Sequence, residues 1–156
     1  MAAAEVVTKM RVYISRYNCE EPAEVVSQLI ASLANDFDVV TEEHLPIGDE
    51  ESVDEWNARK AHTVDVVLVL MCNEYMDDEL CKEELIAAMK ERKDSGKPRI
   101  LFVKVDANFV ENEWLKQARG KAVPTDLTGS LYNRNIKTLT KRIQGITHVQ
   151  NSRYLI

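Results

Sequence analysis

Glycine is scarce, five residues in 156, and cysteine and histidine are scarcer, at three each. No GxGxxG or GxxxxGKS/T pattern occurs, so nothing supports phosphate cradling by a glycine-rich loop. No GxSxG elbow is present either. His44, His62 and His148 are scattered and show no metal-ligand spacing with cysteine, so no metal site is expected. Cys19, Cys72 and Cys81 are odd in number and lack a CxxC pair, which points to a reducing, cytoplasmic setting rather than a disulfide framework. Basic charge is in deficit, 20 Lys and Arg against 26 Asp and Glu, a net charge of −6. Nucleic acid is therefore excluded as the main partner, because phosphate binding needs a basic surface. Residues 1–10 carry Glu5 and Lys9 and no apolar core, so no signal peptide is evident. There are no repeats, linkers or low-complexity segments. The expectation is a flexible lead-in over 1–9 and a single domain over 10–150, with no direct membrane insertion.

What the chain does have is Thr63–Ala88, around which the rest is organised. Val64–Met71 is almost unbroken apolar, too short to cross a bilayer and rich in Val and Leu. It reads as a strand covered on both faces, as in a parallel sheet. Asn73–Asp78 breaks the run as a short acidic loop. Asp77, Asp78 and Glu79 then place negative charge at the positive end of a helix dipole. Leu80, Cys81, Leu85, Ala88 and Met89 recur at helical spacing. Glu83 falls about 180° from the centre of that stripe, whereas Glu84 falls about 80° away, on its flank. A carboxylate there, near the carboxyl end of a strand, stands where open α/β sheets bind ligands. The plainer alternative is a solvated glutamate on a surface helix.

Arg11–Ser15 reads as the first strand, and Tyr17–Pro22 as a turn with Pro22 suited to a first helical position. Val25, Val26, Leu29, Ile30 and Leu33 mark a helix, and residues 37–40 a second strand. A loop over 41–51 follows, strongly acidic, with Leu45-Pro46-Ile47-Gly48 at its centre. Leu45 and Ile47 either tuck back onto the domain or contact another molecule. Ser52-Val53-Asp54-Glu55 is a capping box opening a short helix with Val53 and Trp56 inward. Beyond the Glu84 helix, 94–98 is a stop and turn, and 99–105 is a fourth strand. Residues 112–119 form a helical turn with Trp114 and Leu115 inward, and Val123 begins a short fifth strand. A final helix over 133–146 buries Ile136, Leu139, Ile143 and Ile146, and its other face, with Arg134, Lys137, Lys141 and Arg142, reads as solvated. Strands alternating with helices give a doubly wound parallel sheet. A phosphoreceiver domain would need an acidic pair after the first strand and an Asp ending the third; Ser15-Arg16-Tyr17 and Leu70-Met71-Cys72 stand there instead. Cys81, in a first helical turn but ringed by five acids, reads as a packing residue.

Several segments resemble, in order, those of TIR (Toll/interleukin receptor) domains. Arg11–Ser15 is similar to the FISY-type opening strand. Leu45–Gly48 resembles the BB loop. Val64–Met71 followed by Asn73-Glu74-Tyr75 resembles the third strand and its S-x-x-Y. Leu80-Cys81-Lys82-Glu83-Glu84-Leu85 resembles W-C-x-x-E-L, and Lys97-Pro98-Arg99-Ile100 the return strand. Together they span residues 10–146.

The resemblance implies a flavodoxin-like, five-stranded parallel sheet flanked by helices and two kinds of function. Some TIR domains hydrolyse NAD+ to nicotinamide and ADP-ribose or a cyclic form. Others act as adaptors through homotypic TIR–TIR contacts in innate-immune-type signal transduction. In the enzymes the W-C-x-x-E glutamate is the catalytic acid, which matches Glu84, with NAD+ a substrate and no cofactor held permanently. Ser15, Arg16, Tyr17, Ile47 and Leu80 would line the substrate site, and Leu45, Pro46, Ile47 and Gly48 the interface with other TIR domains. The resemblance is read first as an NAD+ glycohydrolase whose site self-association would complete and activate, with the non-catalytic adaptor as the alternative. Leu80 replaces the family's tryptophan, and Arg16 separates Ser15 from Tyr17. A carboxylate suits the reaction, since loss of nicotinamide leaves an oxocarbenium-like ribose.

Overall fold

The computed structural model describes residues 9–17 and 23–154, side chains at 23 and 147–154 excepted. Most of the lead-in, the turn after Tyr17, Cys19 and Pro22 lie outside the described residues.

Five strands form one sheet: β1 (Arg11–Ser15), β2 (Asp38–Val40), β3 (Val66–Met71), β4 (Arg99–Lys104) and β5 (Thr125–Asp126). All pairings are parallel and the order is β2-β1-β3-β4-β5. This is the flavodoxin-like arrangement, whose strand order reverses between β1 and β3. Every residue of β3 is buried, as its Val and Leu content requires of a strand covered on both faces.

Two cores follow from the alternation of side chains across the pleat. Val12, Ile14, Leu68 and Leu70 pack with α1 (Ala23–Leu33) and α6 (Tyr132–Tyr154) on one face. Tyr13, Val67, Val69 and Met71 pack on the other with α2 (Val53–Thr63), α3 (Asn73–Asp77), α4 (Glu79–Ser95) and α5 (Glu113–Arg119). Helix starts are fixed chemically. Ser52, Asp78 and Asn112 each accept the backbone N–H three residues on, at 3.1, 3.0 and 2.9 Å. Helix α4 ends at Gly96, whose φ of 85° only glycine adopts without strain.

Several local expectations are corrected. Residues 73–77 are a helix, not a loop, because Tyr75 and Met76 bury themselves at the end of β3. One turn is too short for periodicity to reveal. Val53 is exposed, since the first residue after a cap points outward here. The fifth strand begins at Thr125, beyond Pro124, which has no N–H to pair. The last helix begins at Tyr132 and runs past 146.

Candidate functional site

The inner stripe of α4 is Cys81, Glu84, Leu85 and Ala88. Glu84 thus lies within the stripe rather than on its flank, 8 % exposed, while Leu80 turns outward at 60 % and Met89 is also exposed. The stripe is narrower than the apolar residues suggested because an acid fills part of it. That acid is answered by two donors. The Tyr13 hydroxyl donates to Glu84 Oε2 at 2.9 Å from β1. The Lys60 ammonium, from α2, donates to the same oxygen. Lys60 is 2 % exposed, and its ammonium lies 3.7 Å from the centre of the Trp56 ring. Burial, and after it the Glu84 charge, pushes the Tyr13 phenol well above its ordinary range, so it stays a donor.

This cluster ties α2 to α4 across β1. Desolvation of two ions offsets much of their attraction, so the pair stabilises little against an apolar replacement. Removing one member alone leaves a buried charge, which costs about 3–5 kcal/mol.

At the carboxyl edge, where the strand order reverses, Ser15 ends β1. It is fully buried, and its Oγ lies 2.7 Å from the Tyr75 hydroxyl of α3. Arg16 and Tyr17 are half-buried beyond it. Arg16 lines a cavity of about 370 Å3 with Ile14, Ile30, Thr41, Glu42 and His44. Ile14 and Ile30 place that cavity on the α1 side of the sheet, opposite the face from which Tyr13 meets Glu84. Of the expected substrate-binding residues, then, Arg16 lines a cavity at the edge, Ser15 is sealed against Tyr75, and Leu80 stands in solvent. Glu42 stands exposed at the mouth of that cavity. Its carboxyl is raised from the ordinary range by partial desolvation first and by the Glu84 charge second, and Lys60 and Arg16 oppose the shift.

Cys81 is buried, and its thiol is pushed far above its ordinary pKa by desolvation and then by its hydrogen bond to Asp78. Its side chain belongs to the α2–α4 core, as a packing residue does. Among the described residues, no group of three His, Cys, Asp or Glu is placed to hold a metal ion.

The 45–51 loop divides the alternatives left open for its two apolar residues. Leu45 tucks against the α2–α4 core, and its carbonyl accepts the Trp56 indole N–H at 2.8 Å. Ile47 is 43 % exposed. Arg59 donates to the Pro46 carbonyl at 2.7 Å and to both Glu51 oxygens at 2.8 Å. Glu51 in turn accepts the Gly48 N–H at 2.9 Å. Arg59, and then that N–H, hold the Glu51 carboxyl down at about 2. The loop tip is thus clipped to α2 with Ile47 left outward.

Sequence reasoning missed Lys60, Tyr13 and Glu42. A signal existed for the first. Val53–Thr63 has few apolar residues, so a helix that packs must bury something polar, and Asn57, Lys60, Ala61 and Val64 follow helical spacing.

The structure is similar to two solved TIR structures. The TIR domain of the Toll-related receptor TRR-2 from Hydra magnipapillata aligns with a TM-score of 0.59 at 11 % identity, covering 87 % of this chain and 97 % of that one. The TIR domains of the activated Roq1 resistosome that directly recognises the pathogen effector XopQ align with a TM-score of 0.60 at 14 % identity, covering 87 % and 98 %. No curated protein matches the sequence significantly. The family model for the TIR domain matches residues 12–140, and with it the chain belongs to the TIR domain family of signalling modules.

Proposed function

We propose that this TIR domain signals by homotypic association with other TIR domains, as a scaffold rather than through chemistry of its own. The observation that carries this is the engagement of Glu84. Its carboxylate accepts from the Lys60 ammonium and the Tyr13 hydroxyl inside the α2–α4 core. A carboxylate cancelled by a bonded ammonium presents little net field to a developing positive charge. Leu80, in the position of the family's tryptophan, points to solvent and walls nothing. The clipped loop with Ile47 outward fits a surface held ready for a partner, since a preorganised loop costs less to order on binding.

NAD+ hydrolysis is the second reading, and one observation favours it. Arg16, a cation suited to a pyrophosphate, lines the cavity at the carboxyl edge together with Glu42. Glu84 would steady the oxocarbenium-like ribose once the Lys60 bond opens on assembly.

Concentrated protein with NAD+ separates the two. Concentration-dependent oligomers that are lost on Pro46 or Gly48 substitution, with no nicotinamide released, support the scaffold. Nicotinamide release that Glu84→Gln abolishes, but Leu139→Ala retains, replaces it with the enzyme. Leu139 is a fully buried residue on the far face, and its truncation costs a similar ~2–5 kcal/mol, so it controls for lost stability.

A further inference from the structure

A strongly basic helix lies on one face of the sheet and an acidic groove on the other. Helix α6 contains no Asp or Glu. Arg134, Lys137 and Lys141 are exposed on it and fall within about 60° of one another at 100° per residue. They form a stripe about 10 Å long at the helical rise. Among the described residues no carboxylate pairs with any of the three.

On the other face, α2 and α4 border a groove of about 490 Å3. Asp54, Glu83, Glu91 and Asp94 line it with one cation, Lys90, around Ile86, which is 53 % exposed. Four carboxylates against one ammonium leave the groove net negative, with Glu91 already in contact with His62 Nδ1 at 2.9 Å and Asp54, Glu83 and Asp94 in no such contact with a cation among the described residues. Glu83 to Asp94 extends about 16 Å along α4, long enough to receive that stripe.

We propose that the α6 stripe of one copy docks in the α2–α4 groove of the next. The proposal rests on homotypic association and names the surfaces that perform it. Because α6 and the α2–α4 groove belong to opposite faces of the sheet, the contact uses two different patches. Each copy keeps one patch open, so the contact propagates head to tail rather than closing as a two-fold dimer. Ile86 supplies an apolar centre, and the charges set register and association rate. The Leu45–Gly48 loop is a separate surface, and its substitution tests association itself.

The test is charge reversal with mixing, read by sedimentation velocity over a concentration series. The groove variant is Glu83→Lys with Asp94→Lys, and the helix variant is Lys137→Glu with Lys141→Glu. All four residues are exposed, so each variant keeps the wild-type melting curve. Wild-type assemblies should weaken at least tenfold as salt rises from about 0.1 M to about 1 M, because screening shortens the reach of exposed charges. Each variant alone should stay monomeric where wild type assembles. An equimolar mixture should assemble again, since every junction then pairs opposite signs. Variants that assemble as wild type does, or a mixture that stays monomeric, overturn the docking. If Pro46 or Gly48 substitution disperses the wild type while both charge reversals leave it intact, the docking fails and homotypic association stands. A wild type that is monomeric throughout overturns both.

Discussion

Replacing Lys60 with Met removes an ammonium that is 2 % exposed and leaves Glu84, 8 % exposed, charged or forced to protonate. The remaining donor is the Tyr13 hydroxyl, at 2.9 Å. One hydrogen bond to a charged group returns about 1.5–3 kcal/mol, far less than an isolated buried carboxylate loses on leaving water. The net cost expected for breaking a buried pair is about 3–5 kcal/mol. For a domain of this size that lowers Tm by about 6–20 °C. Glu84→Leu should cost a comparable amount, because it strands the ammonium against the Trp56 and Tyr13 rings, and Glu84→Gln returns no more than an amide oxygen. The pair Lys60→Met with Glu84→Leu removes both charges together. It should recover most of the loss, falling short of wild type by about 1–3 kcal/mol, because the buried Tyr13 hydroxyl is left without its acceptor. Double-mutant coupling of about 3 kcal/mol or more is therefore the quantity to measure, by chemical denaturation followed through far-UV circular dichroism. Trp56 fluorescence gives a second, local signal, since the Lys60 ammonium lies against its ring.

Single variants that melt within about 1 °C of wild type would mean that Lys60 does not hold Glu84, and the scaffold reading would lose its carrying observation. Additive rather than compensating losses would refute the pairing itself. A solvated glutamate on a surface helix would make Glu84→Gln nearly neutral for stability, and the buried pair argues against that outcome. Any loss of activity in that variant needs the stability control described above.

Three further outcomes follow from the geometry. The Glu51 carboxyl is held down at about 2 in the folded chain against an ordinary 4.5, so its clip on Gly48 and Arg59 contributes stability fully above about 4.5 and loses it as pH falls toward about 2; the Gly48 amide shift by NMR should follow that window, and Arg59→Ala should raise the titration part of the way, the Gly48 N–H still lowering it. Gly96→Ala places a Cβ in open space but at a φ of 85°, so only backbone strain is felt: about 1–2 kcal/mol, seen as a fall of a few degrees in Tm. Native Cys81 should resist thiol reagents at neutral pH and react only on unfolding, as its buried thiol holds its proton; mass mapping of fast labelling onto Cys81 would contradict this.

The sheet was legible because its signals are local. Six consecutive buried residues of β3, the Asp78 cap and the Gly96 stop need no knowledge of distant chain. The fifth strand was placed loosely, since two residues carry no alternation to count. Helical spacing sets Glu84 apart from Glu83 but does not reveal its surroundings, and the reason is physical. Periodicity ranks a position by the side chains on its own helix, whereas its burial depends on the elements packed against it. Tyr13 lies 71 residues away and Lys60 24, on a different strand and a different helix. Their approach is fixed by the parallel register of β1 with β3 and by the packing of α2 against α4. A glutamate on an apolar stripe therefore carries two incompatible forecasts until a buried cation is found or ruled out on the neighbouring helix. In this chain the cation is found, on a helix otherwise too polar to pack. A lysine in the last turn of such a helix is the place to look in other TIR sequences before their glutamate is assigned a substrate.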